Sequence, residues 1–573
     1  MTGEGRATFA GAEVETFGVE VLGVLQGAMP DRSIILARLS GGPLAHTGVM
    51  QGMSGSPVYL DGRLAGAVAY AFPYAKDPIC GITPFEEMVR FTEPPATARG
   101  GGTGAAGAAR RGAPQLKFSP EGRPFIDPPP PAPSAAGGSG QLRPILTPVT
   151  ATGLPTAAVA ALGPLFHQLG MALAPTGFTA RTAVSGSPPQ TPPALLPGSP
   201  VGATLIGGDL VFMASGTVTH VDESTGEVYA FGHPFTGLGS LSIPMQEARV
   251  ETPVASLMNS FLLASAGAPI GVWQQDRVSG IRGRLGVRAR TIPMQIEVRG
   301  SRGAHRSYAL ELVDHDLFTP AMAFSGLLSI LSQEERPASP LTVRLEAQID
   351  LAGGRSLPVE DVFASGAAGV VAPAAALVAA PVALLLGNPV ERVPVRSIAV
   401  NIEATEEARA ATLTRAWLRS SRVRPGEPAI LRVAVRDFRG AERVRELEIP
   451  IPASAAGSRL QLTVADALTT TFQDRSLGVG GIPTHIGQVF RAIARHRRQS
   501  RLVVQLRGGA REAGVVGGEF LPSLPPSVRS VLNRDPSRGP GPVAGRSVVW
   551  EGHLDFDATV TGARVLTLEV ETW

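Results

Sequence analysis

The chain of 573 residues has a single cysteine, Cys80. One thiol builds neither an intramolecular disulfide nor a thiolate metal cage, so neither device holds the fold together, and cysteine gives no clue to the compartment. Charge is also scarce. Charged residues make up 17% of the chain, and 51 Lys+Arg against 48 Asp+Glu leave a formal excess of +3. So small an excess creates no general field for a polyanion, and no nucleic-acid partner is expected. Apolar residues reach 44%, enough for real cores, which excludes a wholly disordered chain. Residues Met1 to Arg6 lack the basic start and apolar core of a secretory signal, so the chain is expected either to be cytoplasmic or to start downstream of its natural beginning. Nothing in the pattern calls for a metal or a cofactor.

Glycine and proline are plentiful: 68 and 51 residues, about a fifth of the chain, which favours turn-rich β structure over long helices. The length calls for two to four domains. Residues 1–92 read as a β subdomain, with strands at Val19 to Leu25 and Ser33 to Leu39. Residues 93–141, with Gly100-Gly101-Gly102 and Pro128 to Pro131, read as a disordered linker. A second β subdomain is expected at 142–300 and a β/helical extension at 301–411. Within the extension the uncharged run Val362 to Val390 is long enough to span a bilayer. Pro373, Pro381 and Pro389 interrupt it and no aromatic belt flanks it, so a buried helix or helix pair is expected instead. Residues 412–573 read as a β-sandwich-like module open to a protein partner, on the alternation of Ala429 to Val435. The arginines between Phe490 and Arg501 read as a solvated helix face, not a nucleic-acid patch.

The segment Gln51-Gly52-Met53-Ser54-Gly55-Ser56-Pro57 carries the most chemistry. Glycines at 52 and 55 allow backbone conformations closed to side chains, so the chain can bend tightly around Ser54 and aim two N–H groups at one point. Ser54 is then the candidate nucleophile, and the N–H groups of Gly52 and Ser54 are the candidate oxyanion donors. Asp61-Gly62 is a strong tight-turn dipeptide between the strands on either side of it, which sets the serine on a hairpin. The plain alternative is a Gly/Ser-rich turn with no chemistry.

A serine hydroxyl needs an adjacent base to take its proton. Among nine histidines, His233 lies in Val228-Tyr229-Ala230-Phe231-Gly232-His233-Pro234-Phe235, at the end of a strand expected to pair with Gly216 to Val221. Strand ends present side chains at clefts, so His233 ranks first. His46 and His220 are the rivals: the first precedes the serine loop closely in sequence and the second alternates within a strand.

The order of loop, strand, turn and strand resembles the nucleophile segment of chymotrypsin-like serine peptidases, Gly-x-Ser-Gly-Gly/Ser-Pro. The two segments together are similar to the SpoIVB-type serine peptidases, the sporulation stage IV protein B family, in which a Gly-His stretch supplies the base and Gly-Met-Ser-Gly-Ser-Pro the nucleophile. The resemblance extends to Pro78 to Met88 and to the stretch near Gln275-Asp276-Arg277, a third to a half of the chain. It implies a bacterial endopeptidase with a trypsin-like double β-barrel, a protein or peptide substrate, and an extracytoplasmic or cell-envelope location. Ser54 is implied as nucleophile and His233 as general base. The order is rearranged, because the serine here precedes the histidine, and a triad is defined by geometry and not by chain order. The acid that the family bears shortly before its serine has no counterpart near Leu39-Ser40. Asp276 is the substitute, either as the third catalytic member or as an ion-pair partner of Arg277 or Arg282.

Two classes of function stay in competition on the sequence. One is a serine endopeptidase acting through Ser54 and His233. The other is a catalytically inactive relative, a scaffold or protein-binding envelope protein whose β modules hold partners.

Overall fold

The computed structural model describes residues 1–29, 32–92, 114–119, 121–127, 141–176, 195–300, 303–334, 340–364, 369–476, 483–508, 514–516, 519–521, 527, 530 and 548–572. The fold is mainly β, with 54% strand and 17% helix.

Six strands of the N-terminal block close on themselves: β1 (Thr2–Ala7), β2 (Glu15–Met29), β3 (Arg32–Ser40), β4 (Pro57–Leu60), β5 (Arg63–Ala71) and β6 (Ile79–Pro84). They run around the ring β1-β2-β3-β6-β5-β4, and β4 pairs back onto β1. The ring interior is apolar, with Val19, Ala37, Leu39, Val58, Val68 and Ile82 packed on Met50 and Met53 from the serine loop. Asp61 and Gly62 connect β4 to β5 with φ of 49° and 76°. Positive φ at both central residues is what a type I′ hairpin turn demands, and Asp-Gly supplies it at little cost. Cys80 lies in the same core, where burial pushes its thiol up to about 12, so it is a packing residue with no nucleophilic role.

A second ring follows, built from β7 (Pro200–Gly208), β8 (Phe212–Asp222), β9 (Glu227–Ala230), β10 (Gly239–Val254), β11 (Phe261–Arg277) and β12 (Gly280–Leu285). Its order is β7-β8-β9-β12-β11-β10, closed by pairing of β10 with β7. Phe231 meets Trp273 edge to face inside it, with centroids 6.3 Å apart, and the indole N–H donates to the carbonyl of Gly202 at 3.0 Å. The double-barrel expectation therefore holds, with the serine ring first in the chain. The paired strands β10 and β11 are far longer than this ring needs. Their outer halves form an arm that reaches the first ring, where Val250 bridges Gly11 and Val250 and Leu262 join the first ring's core.

Two sequence boundaries differ from what is observed. The boundary expected at 300 falls within a hairpin, because Thr291–Arg299 pairs with His305–Val313 and the latter pairs with β7. One sheet and one core thus run from the second ring through the extension, since apolar alternation on both sides of residue 300 faces the same helices. Within the expected linker, Gln115–Phe118 and Pro124–Asp127 form a hairpin whose Leu116 and Ile126 are buried in that core. Leu116 and Ile126, with Phe118 packed on Phe324, dock it, where composition averaged over the segment pointed to disorder. Of the expected linker, residues 93–113, 120 and 128–140 lie outside the described residues.

The run Val362 to Val390 becomes strand to residue 364 and helix Val371–Gly387, which buries most of its Ala, Val and Leu side chains and packs against helix Phe318–Glu334. Among the described residues no helix is long and apolar enough to cross a membrane. The C-terminal block holds two facing sheets over a core that includes Leu431, Val433, Leu462, Val464 and Leu506. Several of its arginines face acids: Arg497 pairs with Asp474 at 2.6 Å and Glu551 at 2.7 Å, Arg501 with Asp555 at 2.6 Å, and Arg498 with Glu360.

Candidate active site

The serine loop and the histidine segment belong to different rings and touch directly. The carbonyl of Ser54 accepts the N–H of Thr217 at 2.9 Å. The Thr217 hydroxyl donates to the carbonyl of Gly52 at 2.8 Å, and the Thr219 hydroxyl to that of Gly55 at 2.7 Å. Alternate residues of a strand share a face, so Thr217 and Thr219 on β8 clamp the loop from one side. Gly55 has φ of 99°, and a Cβ built there would lie 1.9 Å from the Thr217 carbonyl oxygen and 2.5 Å from the Phe231 nitrogen. Only glycine fits that approach.

On the other side the chain turns sharply before His233. Phe231 and Gly232 both have positive φ, 69° and 66°, and the N–H of Gly232 donates to the carbonyl of Ala230. A bulky residue in the left-handed region is an outlier that the surroundings must enforce. Here Gly232 packs on Ala67 and Ala69 of β5, while the Thr83 hydroxyl from β6 donates to the Gly232 carbonyl at 2.6 Å. The first ring thereby fixes the turn that presents the histidine.

Ser54 is fully buried and His233 is 2% exposed. Among the described residues neither Ser54 Oγ nor His233 Nε2 has a hydrogen-bond partner, so the two do not bond each other here. The N–H groups of Gly52 and Ser54 likewise donate to no group among the described residues. Buried donors and acceptors are ordinarily satisfied, and these four groups lie on the two segments that meet here. His233 Nδ1 lies 2.8 Å from the Pro234 carbonyl oxygen. That oxygen can only accept, so Nδ1 carries the proton and the Nε2 lone pair is free. Burial lowers the His233 pKa to about 4, against a smaller raising effect of the Pro234 carbonyl, so the ring is neutral near pH 7.

Asp276 makes neither of the bonds expected of it. Its buried carboxylate accepts the N–H groups of Phe235 at 2.8 Å, Thr236 at 2.8 Å and Gly237 at 2.7 Å, and the Thr236 hydroxyl at 2.8 Å. Arg282 pairs with Glu227, and Arg277 donates to Gln275. Desolvation raises the Asp276 pKa and the four hydrogen bonds oppose that shift. Asp276 therefore holds the loop that follows His233 without touching the ring. Of the rival histidines, His46 is exposed on the short helix Leu44–Thr47 and His220 meets Phe85 edge to face and Tyr229 at a tilt. The sequence reading missed the Thr217 and Thr219 clamp, although a Thr-x-Thr pair on a strand beside the histidine hairpin was its signal. It also missed the Pro234 carbonyl, which no side-chain pattern announces.

Residues 4–89 match the family model of the SpoIVB peptidase S55. The match covers the first ring with Ser54 and ends before the histidine hairpin. Comparisons with curated proteins and with solved structures each gave no significant match. The S55 segment thus contains the loop and not its partner, and the geometry above is what joins the two.

A pH dependence of stability follows from the buried rings. His233 and His315 are both lowered to about 4 by burial, His315 while accepting the N–H groups of Leu317 and Phe318. Each folded-state pKa lies below the unfolded value of 6.5, so the unfolded chain binds more protons between those limits. Stability then falls as pH drops from about 6.5 to about 4, by about 3 kcal/mol per histidine. Urea unfolding across this range should show the loss, and His233→Gln should remove one histidine's share of it.

Proposed function

We propose that the protein is a serine endopeptidase of SpoIVB type with a trypsin-like site shared by its two rings. The observation that carries this reading is the pair of buried, unpartnered groups, Ser54 Oγ and His233 Nε2, on two segments in direct contact. In the proposed reaction His233 Nε2 takes the Ser54 hydroxyl proton as Oγ bonds to the carbonyl carbon of a substrate peptide. The developing oxyanion is held by the N–H groups of Gly52 and Ser54. The imidazolium then gives its proton to the amide nitrogen, the C–N bond breaks and the amine leaves. Water, deprotonated by the same ring, hydrolyses the acyl-enzyme and regenerates Ser54. Asp276 acts as a positioning residue through loop 235–238, and the Pro234 carbonyl keeps the ring in the required tautomer. An extracytoplasmic or cell-envelope setting is part of the proposal through the family match alone; a protein partner for the C-terminal β module, which lies outside that match, is proposed as well.

A biotinylated fluorophosphonate separates this from the alternative. The expected result is labelling of the wild type that disappears in Ser54→Ala, with peptide mapping to residues 51–57. The full burial of both side chains favours the second reading, a silent scaffold, and an absence of labelling together with partner binding that survives Ser54→Ala would establish it.

A further inference from the structure

We infer that the end of the arm, Ser260 to Leu262, is a positioning element for the Gly52 oxyanion donor; this rests on the peptidase reading above. The direction of an N–H is set by the carbonyl of the same peptide, because the planar trans unit points the two in opposite directions. For Ser54 that carbonyl belongs to Met53, and it is captured inside the loop by the N–H of Ser56 at 2.9 Å. For Gly52 it belongs to Gln51, and nothing within the loop holds it. The N–H of Leu262 does so instead, at 2.9 Å, while the Gln51 N–H donates to the Ser260 carbonyl at 2.9 Å. These two bonds form an isolated parallel bridge between Gln51 and Phe261.

The consequence is that one of the two candidate donors is locked by its own loop and the other by a strand from the second ring. With the Gln51 carbonyl turned to the arm, the Gly52 N–H is directed away from it. Gly52 has φ of 94°, and a Cβ there would meet Leu262 Cβ at 3.2 Å, so the arm also sits flush against the glycine. Freed of the arm, the Gln51–Gly52 peptide has no other partner among the described residues to define its plane, and glycine tolerates the flipped conformation. The arm end is itself tied down, because the buried Ser260 hydroxyl donates to the Thr47 carbonyl at 2.7 Å and accepts the Ser256 N–H at 3.2 Å. Beyond it the tip is bare: Leu257 is 99% and Met258 62% exposed.

Leu262 can be altered so that its two contributions separate. It pairs with Pro253 across the hairpin, which has no N–H to give, and its own N–H goes to Gln51. Leu262→Pro therefore deletes the Gln51 bond, whereas Leu262→Ala trims the side chain and keeps the donor. Leucic acid at position 262, which puts an ester oxygen in place of the N–H and retains the side chain, does the same as proline should Leu262→Pro not fold. The expected result for proline or ester is a fall in kcat of ~10²–10³ with KM within ~3-fold. Affinity for a peptide boronic acid, whose tetrahedral adduct with Ser54 places an oxygen in the hole, should fall in parallel. Leu262→Ala should lower stability and leave kcat within ~3-fold. A kcat unchanged by the ester, or lowered equally by alanine, overturns the positioning role while leaving the peptidase reading intact. A wild type that takes no fluorophosphonate at Ser54 overturns both.

Discussion

Ser54→Ala and His233→Ala are each expected to lower kcat for a peptide substrate on the order of 10⁶-fold, and the double variant by no more than either alone. The reasoning starts from the two orphaned atoms. Ser54 Oγ and His233 Nε2 are buried and unpartnered, so each is worth little without the other: a hydroxyl with no base stays protonated, and a base with no hydroxyl has no proton to take. Groups that act as a unit lose nearly all their effect when one is removed, so the costs do not add. Residual activity above the uncatalysed rate should survive through the Gly52 and Ser54 amides, which both substitutions leave in place. KM should stay within a few-fold, because neither atom is placed to bind the ground state. Steady-state kinetics on the three variants, with circular dichroism to show an intact fold, decides the matter. Effects that multiply in the double variant would mean that the residues act independently, and the shared proton would go.

The parts of the molecule legible in the sequence were those where one residue type has one physical use. Asp61-Gly62 had to be a tight turn, because two successive left-handed residues between strands select that dipeptide, and both φ values are positive. The prolines and missing flanks of Val362 to Val390 had to yield a buried helix, and the long apolar helix does pack inside. Strand β8 against β9, with His233 just beyond, followed from alternation and a turn at Asp222 to Gly226. What stayed hidden depends on main-chain groups, which every residue carries. The partner of His233 is a carbonyl, the partners of Asp276 are amides, and the restraint on Gly52 is an N–H of a leucine more than two hundred residues away in the chain. A search for complementary side chains pairs Asp276 with a ring or an arginine, and in the structure it bonds a loop. The docked hairpin at Gln115–Phe118 escaped for a related reason: its composition is that of a linker, and the placement of Leu116, Phe118 and Ile126 against the core is not visible in composition.

Gly55→Ala is expected to be the most damaging single-methyl change in the protein, costing more than about 4 kcal/mol, the range reserved for a named structural fault. The methyl has nowhere to go. It would stand 1.9 Å from the Thr217 carbonyl oxygen on β8 and 2.5 Å from the Phe231 nitrogen in the turn before His233, both main-chain atoms that cannot swing aside as a side chain can. The backbone conformation, φ of 99°, adds about 1–2 kcal/mol for any residue with a Cβ. Relief requires the serine loop to lift off β8, which breaks the bond of the Ser54 carbonyl to the Thr217 N–H and that of the Gly55 carbonyl to the Thr219 hydroxyl. The same movement carries Ser54 away from His233, so activity and the contact between the rings should be lost together. Gly62→Ala makes the control: its φ is also positive, 76°, yet a Cβ there meets nothing within 4 Å, so only the conformational cost applies. Thermal unfolding of the two variants should differ by at least about 5 °C if the close approach of loop and strand is real, since the strain is common to both and the clash is not. Equal losses would mean that the serine loop does not rest on the histidine barrel, and the shared site would have no scaffold.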